Sequence, residues 1–510
     1  ARANFGNGAT VSGGLGFDAA AAPAPLSFGF GSSAKPVEFA KQTVTKPHVD
    51  KSVERPHAAS SQLPIGTVFV NGTGECDQLG LGDATRERKK PTLVKGLKEV
   101  KVARIASGSL HSAAVDCEGR LYSWGCNDDG ALGRATKDGS ESVPKPVPLS
   151  QGVVISLICC GDNHSCALDT QQRVWLWGSY KDGQGHIGIA CQDGSVSLRR
   201  QEPEMVLEGC RQISSGANHT LALSSNGGKI FAWGSNWAGQ LGIKGVQGCG
   251  HTEEIVRCVA SANDFEACQT GGTILNGKKV VRLWDGAGDQ VSVRDKKVED
   301  VRRLWAGGAK IVIVEIPDRE VAKEEKLPLL KPQDMCLEGV AGTVTGIFTT
   351  AENSFVTTDA PAIYGCGLNG DGQVGLGYLS LAVPRLQKLP GSLPGAASWI
   401  CGGLQHTCAL SEGQVFSWGK AERCGLGLSE KAPPVLKPRK VEGLPTISSI
   451  RSSDHHVLAC AEDGSCLVWG EGQMYQLANR PRDVENPIDN EEEPNDELQP
   501  YNISSKQLAN

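Results

Sequence analysis

The chain has 510 residues, with 51 Lys and Arg against 57 Asp and Glu, a formal net charge of −6. A balance this near neutral excludes a globally basic nucleic-acid coat, and no apolar run reaches the ~18–20 residues that span a bilayer as a helix. Glycine makes up 64 of the 510 residues against 5% aromatics and three Met, which indicates short strands and tight turns rather than helix bundles.

Residues 1–63 are rich in Gly, Ala, Ser and Pro without an apolar period, and read as a disordered tail. From residue 64 a repeat sets in, in which a strand-like run ends in Gly and a second Gly follows eight residues later. The copies are Phe69-Val70-Asn71-Gly72 to Gly80, Tyr122-Ser123-Trp124-Gly125 to Gly133, Ala232-Trp233-Gly234 to Gly242, Gly367 to Gly375, and Ser417-Trp418-Gly419 to Gly427. Leu176-Trp177-Gly178 reaches its partner Gly188 only after ten residues, and Val468-Trp469-Gly470 ends at Ala478 instead. Seven copies at a period of about 52 residues match four strands plus turns, one propeller blade each. One gap is longer by about 80 residues, which places a blade insertion within 245–355.

A second motif precedes the Trp/Gly strands: a Gly and, three residues on, a His. It stands at Gly108-Ser109-Leu110-His111, Gly161-Asp162-Asn163-His164, Gly216-Ala217-Asn218-His219 and Gly403-Leu404-Gln405-His406, and degraded at Ser453-Asp454-His455-His456. Glycine at this density means crowded inner strands about a narrow axis. A sixth copy is expected to be disguised near the insertion, and the seventh should follow residue 510. The expected fold is therefore an all-β, seven-bladed propeller over 64–510 that lacks its C-terminal closing strands and closes poorly. Residues 479–510, with Glu491-Glu492-Glu493 at their core, read as an acidic connecting loop. The insertion carries basic clusters at Lys278-Lys279 and at Arg294, Lys296, Lys297, Arg302 and Arg303, as an exposed elaboration or a docking element.

Eighteen cysteines without a C-x-x-C pair fit neither a secreted disulfide scaffold nor a zinc site, and read as buried reduced thiols of a cytosolic or nuclear protein. No phosphate-binding P-loop, H-E-x-x-H, nucleophile elbow or Rossmann fingerprint is present. Histidines that recur once per blade read as architectural, and ring symmetry would hold them too far apart for one metal ion. Only the third copy lengthens its turn, as Gly178-Ser179-Tyr180-Lys181-Asp182-Gly183-Gln184-Gly185-His186-Ile187-Gly188. A projecting, glycine-bounded hairpin on a rigid scaffold suits insertion into a partner.

On these residues, together with Gln78-Leu79-Gly80-Leu81-Gly82 followed by Glu87-Arg88-Lys89-Lys90-Pro91, and Gly125-Cys126-Asn127-Asp128-Asp129-Gly130-Ala131-Leu132-Gly133-Arg134, the chain resembles the regulator of chromosome condensation family. That family includes a chromatin-bound exchange factor for the small GTPase Ran. The resemblance covers about 64–242 and 362–478 and implies a guanine-nucleotide exchange factor without covalent chemistry or cofactor. The long hairpin resembles the family's β-wedge, which implies that Tyr180, Lys181, Asp182, Gly183 and Gln184 bind the GTPase near its phosphate loop. Glu75 and His111 are implied as further GTPase contacts, and Asp162, Asn218 and His406 as the residues that promote release. Asn218 departs from the family's Asp at that place, and the arginine loop by which relatives clasp the nucleosome has no clear counterpart after Gly242. The resemblance further implies a monomer without membrane contact, in the nucleus on chromatin and also in the cytoplasm, with nucleosomal histones and DNA as additional partners. Two other readings share the fold: a non-catalytic interaction platform of the ubiquitin-ligase or trafficking type, which has no need of the lone ten-residue turn, and a plant UV-B photoreceptor, whose repeated Gly-Trp-Arg-His-Thr strand is absent.

Overall fold

The computed structural model describes residues 65–82, 85–136, 141–182, 185–191, 195–243, 280–284, 290–293, 310–314, 330–391, 393–426, 428–429, 431–472, 474–478 and 497–503. The expected 1–63 tail, the basic clusters of the insertion and the acidic run 479–496 lie outside them.

The architecture is an all-β propeller. Among the described residues, six four-stranded antiparallel sheets follow one another along the chain, each a meander in sequence order. The first is Val102–Ser107, His111–Asp116, Leu121–Gly125 and Lys145–Pro146; the second is Ile155–Cys160, His164–Asp169, Val174–Gly178 and Arg200–Leu207. The third comprises Cys210–Ser215, His219–Ser224, Ile230–Gly234 and Gln333–Asp334, and the fourth Val344–Thr349, Asn353–Thr358, Ile363–Leu368 and Ala382–Lys388. Trp399–Gly402, His406–Ser411, Gln414–Gly419 and Val435–Lys440 form the fifth, and Ile447–Ser452, His456–Ala461, Cys466–Gly470 and Glu497–Ile503 the sixth. A two-stranded sheet, Phe69–Thr73 with Glu87–Leu93, precedes them. It is tied to the first sheet by Trp124 Nε1, which donates to the Gln78 carbonyl (3.0 Å), and to the loop after Gly470 by Asn71 Nδ2, which donates to the Tyr475 carbonyl (2.9 Å).

The second strand of most sheets is buried at every position, as in His164–Asp169 and His219–Ser224. Such strands therefore read as continuous rather than alternating patterns. The two recurring motifs are the locks between sheets. Each recurring His places its Nε2 against a hydroxyl of the next sheet: His111 with Ser165 (2.8 Å), His164 with Thr220 (3.1 Å), His219 with Ser354 (3.1 Å) and His406 with Ser452 (2.9 Å). The Gly three residues earlier leaves room for the ring: a Cβ on Gly161 would lie 2.1 Å from His164 Cε1. The second glycines Gly80, Gly133, Gly375 and Gly425 lie under the indole of the following sheet, so that a Cβ on Gly133 would meet Trp177 Nε1 at 2.8 Å. That indole donates to the Ala131 carbonyl at 2.7 Å.

Three sequence readings change. The partner of Gly419 is Gly425, not Gly427: Gly425 has φ +68° and lies beneath Trp469, because the 3-10 turn Ala421–Arg423 shortens that loop. Glu497–Ile503, expected within the acidic loop, is a strand paired with Cys466–Gly470, and its Pro500 is tolerated on an outer strand. Between 330 and 355, residues within the expected insertion range form regular strands of the third and fourth sheets. The disguised Gly/His copy is Thr350-Ala351-Glu352-Asn353: Asn353 pairs with Gly367 as His164 pairs with Gly178. Further up the insertion, Val280–Trp284 forms the centre of a three-stranded antiparallel sheet with Gln290–Val293 and Lys310–Val314.

Candidate functional site

The long turn of the second sheet is a two-stranded hairpin, Lys181–Asp182 paired with Gly185–His186; Gly183 and Gln184, at its tip, lie outside the described residues. Tyr180 roots it. The ring is fully buried against His164, with centroids 4.4 Å apart, and its hydroxyl hydrogen bonds with Thr220 Oγ1 at 2.8 Å. Its carbonyl accepts the Ile187 N–H at 2.9 Å and closes the base. Lys181 braces the hairpin sideways, with Nζ 2.7 Å from Asp129 Oδ2 and 2.9 Å from Asn163 Oδ1, while its backbone N–H donates to Asn218 Oδ1 at 2.8 Å.

Asp129 gathers three basic side chains. Besides Lys181 it faces His186 Nε2 at 3.4 Å and Arg199 Nε at 3.7 Å, with its own side chain only 9% exposed. Motif reading quoted Asp129 without giving it a role, because its partners are more than 50 residues away in the chain. The only signal was the polar run Asn127-Asp128-Asp129-Gly130 ahead of a Gly, and it carries no hint of its target.

Beside the hairpin, the turns between first and second strands crowd the axis, joined by Asp162 N–H to the Ala217 carbonyl (2.8 Å) and Ala217 N–H to the Ala351 carbonyl (2.9 Å). Asp162 accepts from Ser109 Oγ at 2.5 Å and from Asn218 Nδ2 at 3.2 Å, so two expected site residues, Asp162 and Asn218, touch each other, and Asn218 also touches the hairpin. Glu352 joins them from the fourth sheet. Burial pushes its carboxyl up to about 8, and the charges of Asp162 and Asp454 push the same way. It was missed because its turn lacks both the Gly and the His of the motif.

His111 and His406 are not at the surface. Each is buried, at 1% and 0% exposure, with burial pushing His111 down to about 4 and His406 to about 3. The solvent-facing residues of those turns are Ser109, Leu110 and Leu404, with Gln405 half-buried, since the His ring is needed between sheets. Glu75 is exposed on the loop of the two-stranded sheet, where its carbonyl accepts from Arg86 Nη1 at 2.8 Å. Asp182 is half-buried. Among the described residues no group of three or more His, Cys, Asp or Glu converges as a metal site, and no helix is long and apolar enough to cross a membrane. The arrangement offers a braced projection beside an acidic axial rim.

A family model described as an RCC1-like domain matches residues 67–505. The regulator of chromosome condensation of Mus musculus is 30% identical over 449 residues, covering 86% of this chain and 88% of that protein. The guanine nucleotide exchange factor SRM1 of Saccharomyces cerevisiae is 24% identical, covering 83% and 82%. Among solved structures, Prp20p from Saccharomyces cerevisiae, described with its binding properties to Gsp1p and histones, matches with a TM-score of 0.64 at 25% identity over 87% of each chain.

Proposed function

The chain belongs to the RCC1-like domain family, and on that premise we propose that it is a guanine-nucleotide exchange factor for a Ran-type GTPase. The observation that carries this reading is the hairpin at 181–186, fixed at Thr220, Asn163, Asn218 and Asp129. A loose turn would lose its binding energy to ordering, whereas a pre-braced one delivers it to the partner. The tip, Asp182 to Gly185, presses near the GTPase phosphate loop, and Asp162 with Asn218 lines the adjoining rim. Negative charge there disfavours phosphate and attracts the basic groups that phosphate leaves behind. The factor stabilises the nucleotide-free GTPase, and nucleotide rebinding displaces it. A thousandfold acceleration of release needs about 4 kcal/mol of such stabilisation at the barrier.

Within this reading Glu75 contacts the GTPase directly, and Lys181 acts first as a brace, since its ammonium is already held by Asp129. His111, His406 and Tyr180 serve as positioning residues that fix the turns from inside. The protein works as a monomer in the nucleus on chromatin and also in the cytoplasm, with histones and DNA as further partners. We read the two-stranded sheet as the outer pair of a seventh blade, because Gly72 has a left-handed φ of +109°, close to the +101° of Gly125 and the +111° of Gly470 at the same repeat position. Its inner pair is not among the described residues.

The test is release of a fluorescent GDP analogue from Ran at catalytic concentrations of this protein, beside a variant with Lys181 to Gln184 replaced by a short Gly turn. Many-fold acceleration that disappears with the shortened hairpin supports the function and the site together. A folded protein that gives no acceleration points instead to the interaction-platform reading.

A further inference from the structure

Trp233 is the architectural tryptophan of the third sheet, buried at 0% exposure. Four residues later stands a second one, Trp237, half-buried in the loop that follows Gly234. The corresponding residue is Asp128 in the first sheet and Gly370 in the fourth, so the blade does not require an aromatic there. This loop lies beside the hairpin through one shared residue: Asn218 accepts the Lys181 N–H on its side chain at 2.8 Å and the Ser235 N–H on its carbonyl at 2.7 Å.

The indole is held from below. Trp237 Nε1 donates to Glu352 Oε2 at 3.1 Å, and Gln240 Nε2 donates to the same oxygen at 2.7 Å. Gln240 Oε1 in turn accepts the Ala238 N–H at 2.9 Å, so the loop carrying the indole is fixed from both sides. Glu352 is only 8% exposed, and the charged groups that face it are the carboxylates Asp162 and Asp454. A carboxyl in that place is costly. Its presence makes sense where the orientation of a half-exposed indole matters, and Trp is among the residues most enriched at interface hot spots.

We infer that Trp237 is a specificity-determining contact for the GTPase, continuous with the hairpin, and that Glu352 is its positioning residue. This rests on the exchange-factor reading of the same face. It also adds a residue that the repeat pattern does not contain, and it sets the partner requirement: an apolar or cationic surface able to cover an indole beside the phosphate loop.

The experiment measures GDP-analogue release against Ran concentration for the wild type, Trp237→Ala, Trp237→Phe and Glu352→Gln, with tryptophan emission recorded on adding nucleotide-free Ran. Trp237→Ala should raise the half-saturating Ran concentration about 30-fold, the equivalent of about 2 kcal/mol, and more than it lowers the maximal rate; Trp237→Phe, which keeps a ring, should fall between. In the wild type the Trp237 emission should titrate near pH 8, where Glu352 ionises, and Glu352→Gln should abolish that titration while raising the half-saturating concentration less than Trp237→Ala. A Trp237→Ala protein with wild-type melting temperature and a half-saturating concentration within twofold of wild type overturns the contact. An unchanged emission titration in Glu352→Gln overturns the positioning role. Should the wild type release no GDP analogue, the exchange reading fails by itself; the contact is then judged by emission, and no change that depends on Trp237 sinks it as well.

Discussion

Each recurring histidine is a buried base held neutral. Burial pushes His111 down to about 4 and His219 and His406 to about 3, and places His164 well below its ordinary value. In the unfolded chain each titrates near 6.5. Between those values the unfolded state binds protons that the folded state refuses, so the stability these groups allow is present above pH ~6.5 and is lost as the pH falls toward 4. The penalty is on the order of 3 kcal/mol for each ring at pH 4. Glu352 has the opposite sign: its folded value is raised to about 8, so its contribution is full below ~4.5 and declines as the pH rises through 8. The urea midpoint should therefore peak near neutrality and drop steeply by pH 4.5, with His219→Asn flattening the acid limb. Asn353, which stands naturally at the His place of the fourth sheet, shows that the position accepts an amide. An acid limb unchanged by that substitution would mean the ring is not neutral when folded. The structural role of these histidines was legible in the sequence, since a residue repeated at the blade period is more often architecture than site. What could not be read was how completely burial removes His111 and His406 from the surface, because exposure depends on the neighbouring sheet.

The hairpin, as an element, was visible in the sequence as a turn two residues too long, and its strands fall where the Gly-bounded run placed them. Its bracing was not visible. Asp129 lies on the first sheet's loop, Asn218 on the third sheet's turn, and both reach the hairpin only because sheets twist and stack in order. Asp129→Asn removes the charge that Lys181, His186 and Arg199 share. Because the carboxylate is nearly buried, loss of the brace should cost about 1–3 kcal/mol locally, seen as faster hydrogen exchange at the Ile187 amide that closes the base. GDP release should slow about tenfold if bracing delivers the hairpin's binding energy. Asp128→Asn, on the exposed neighbour, is the control and should change neither. Equal protection in both variants would show that Tyr180 alone fixes the hairpin.

For the whole molecule, the repeat makes each inner strand equivalent, and that equivalence exposes one exception. The fourth residue of the inner strand is Ile in five of the six sheets: Ile105, Ile158, Ile213, Ile347 and Ile450. Ile213 is 8% exposed, Ile347 0% and Ile450 1%, whereas Ile105 is 66% exposed. On the other side of the two-stranded sheet, Leu458 of the sixth sheet is 38% exposed. Ile158 is half-buried, so each isoleucine with an adjacent inner pair is more covered than Ile105, and among the described residues the first sheet's neighbour contributes only the strands Phe69–Thr73 and Glu87–Leu93. An open inner edge flanked by apolar side chains is a pairing site for further strands, which is what the seventh-blade reading requires. In this chain Ile105→Ala should cost less than about 0.5 kcal/mol, as at an exposed position, while Ile347→Ala should cost about 2–5 kcal/mol. Urea midpoints of the two variants measure the contrast directly. A large loss at Ile105 would mean that the slot is already covered, and the two-stranded sheet would then have to be read as a complete element and not as half a blade.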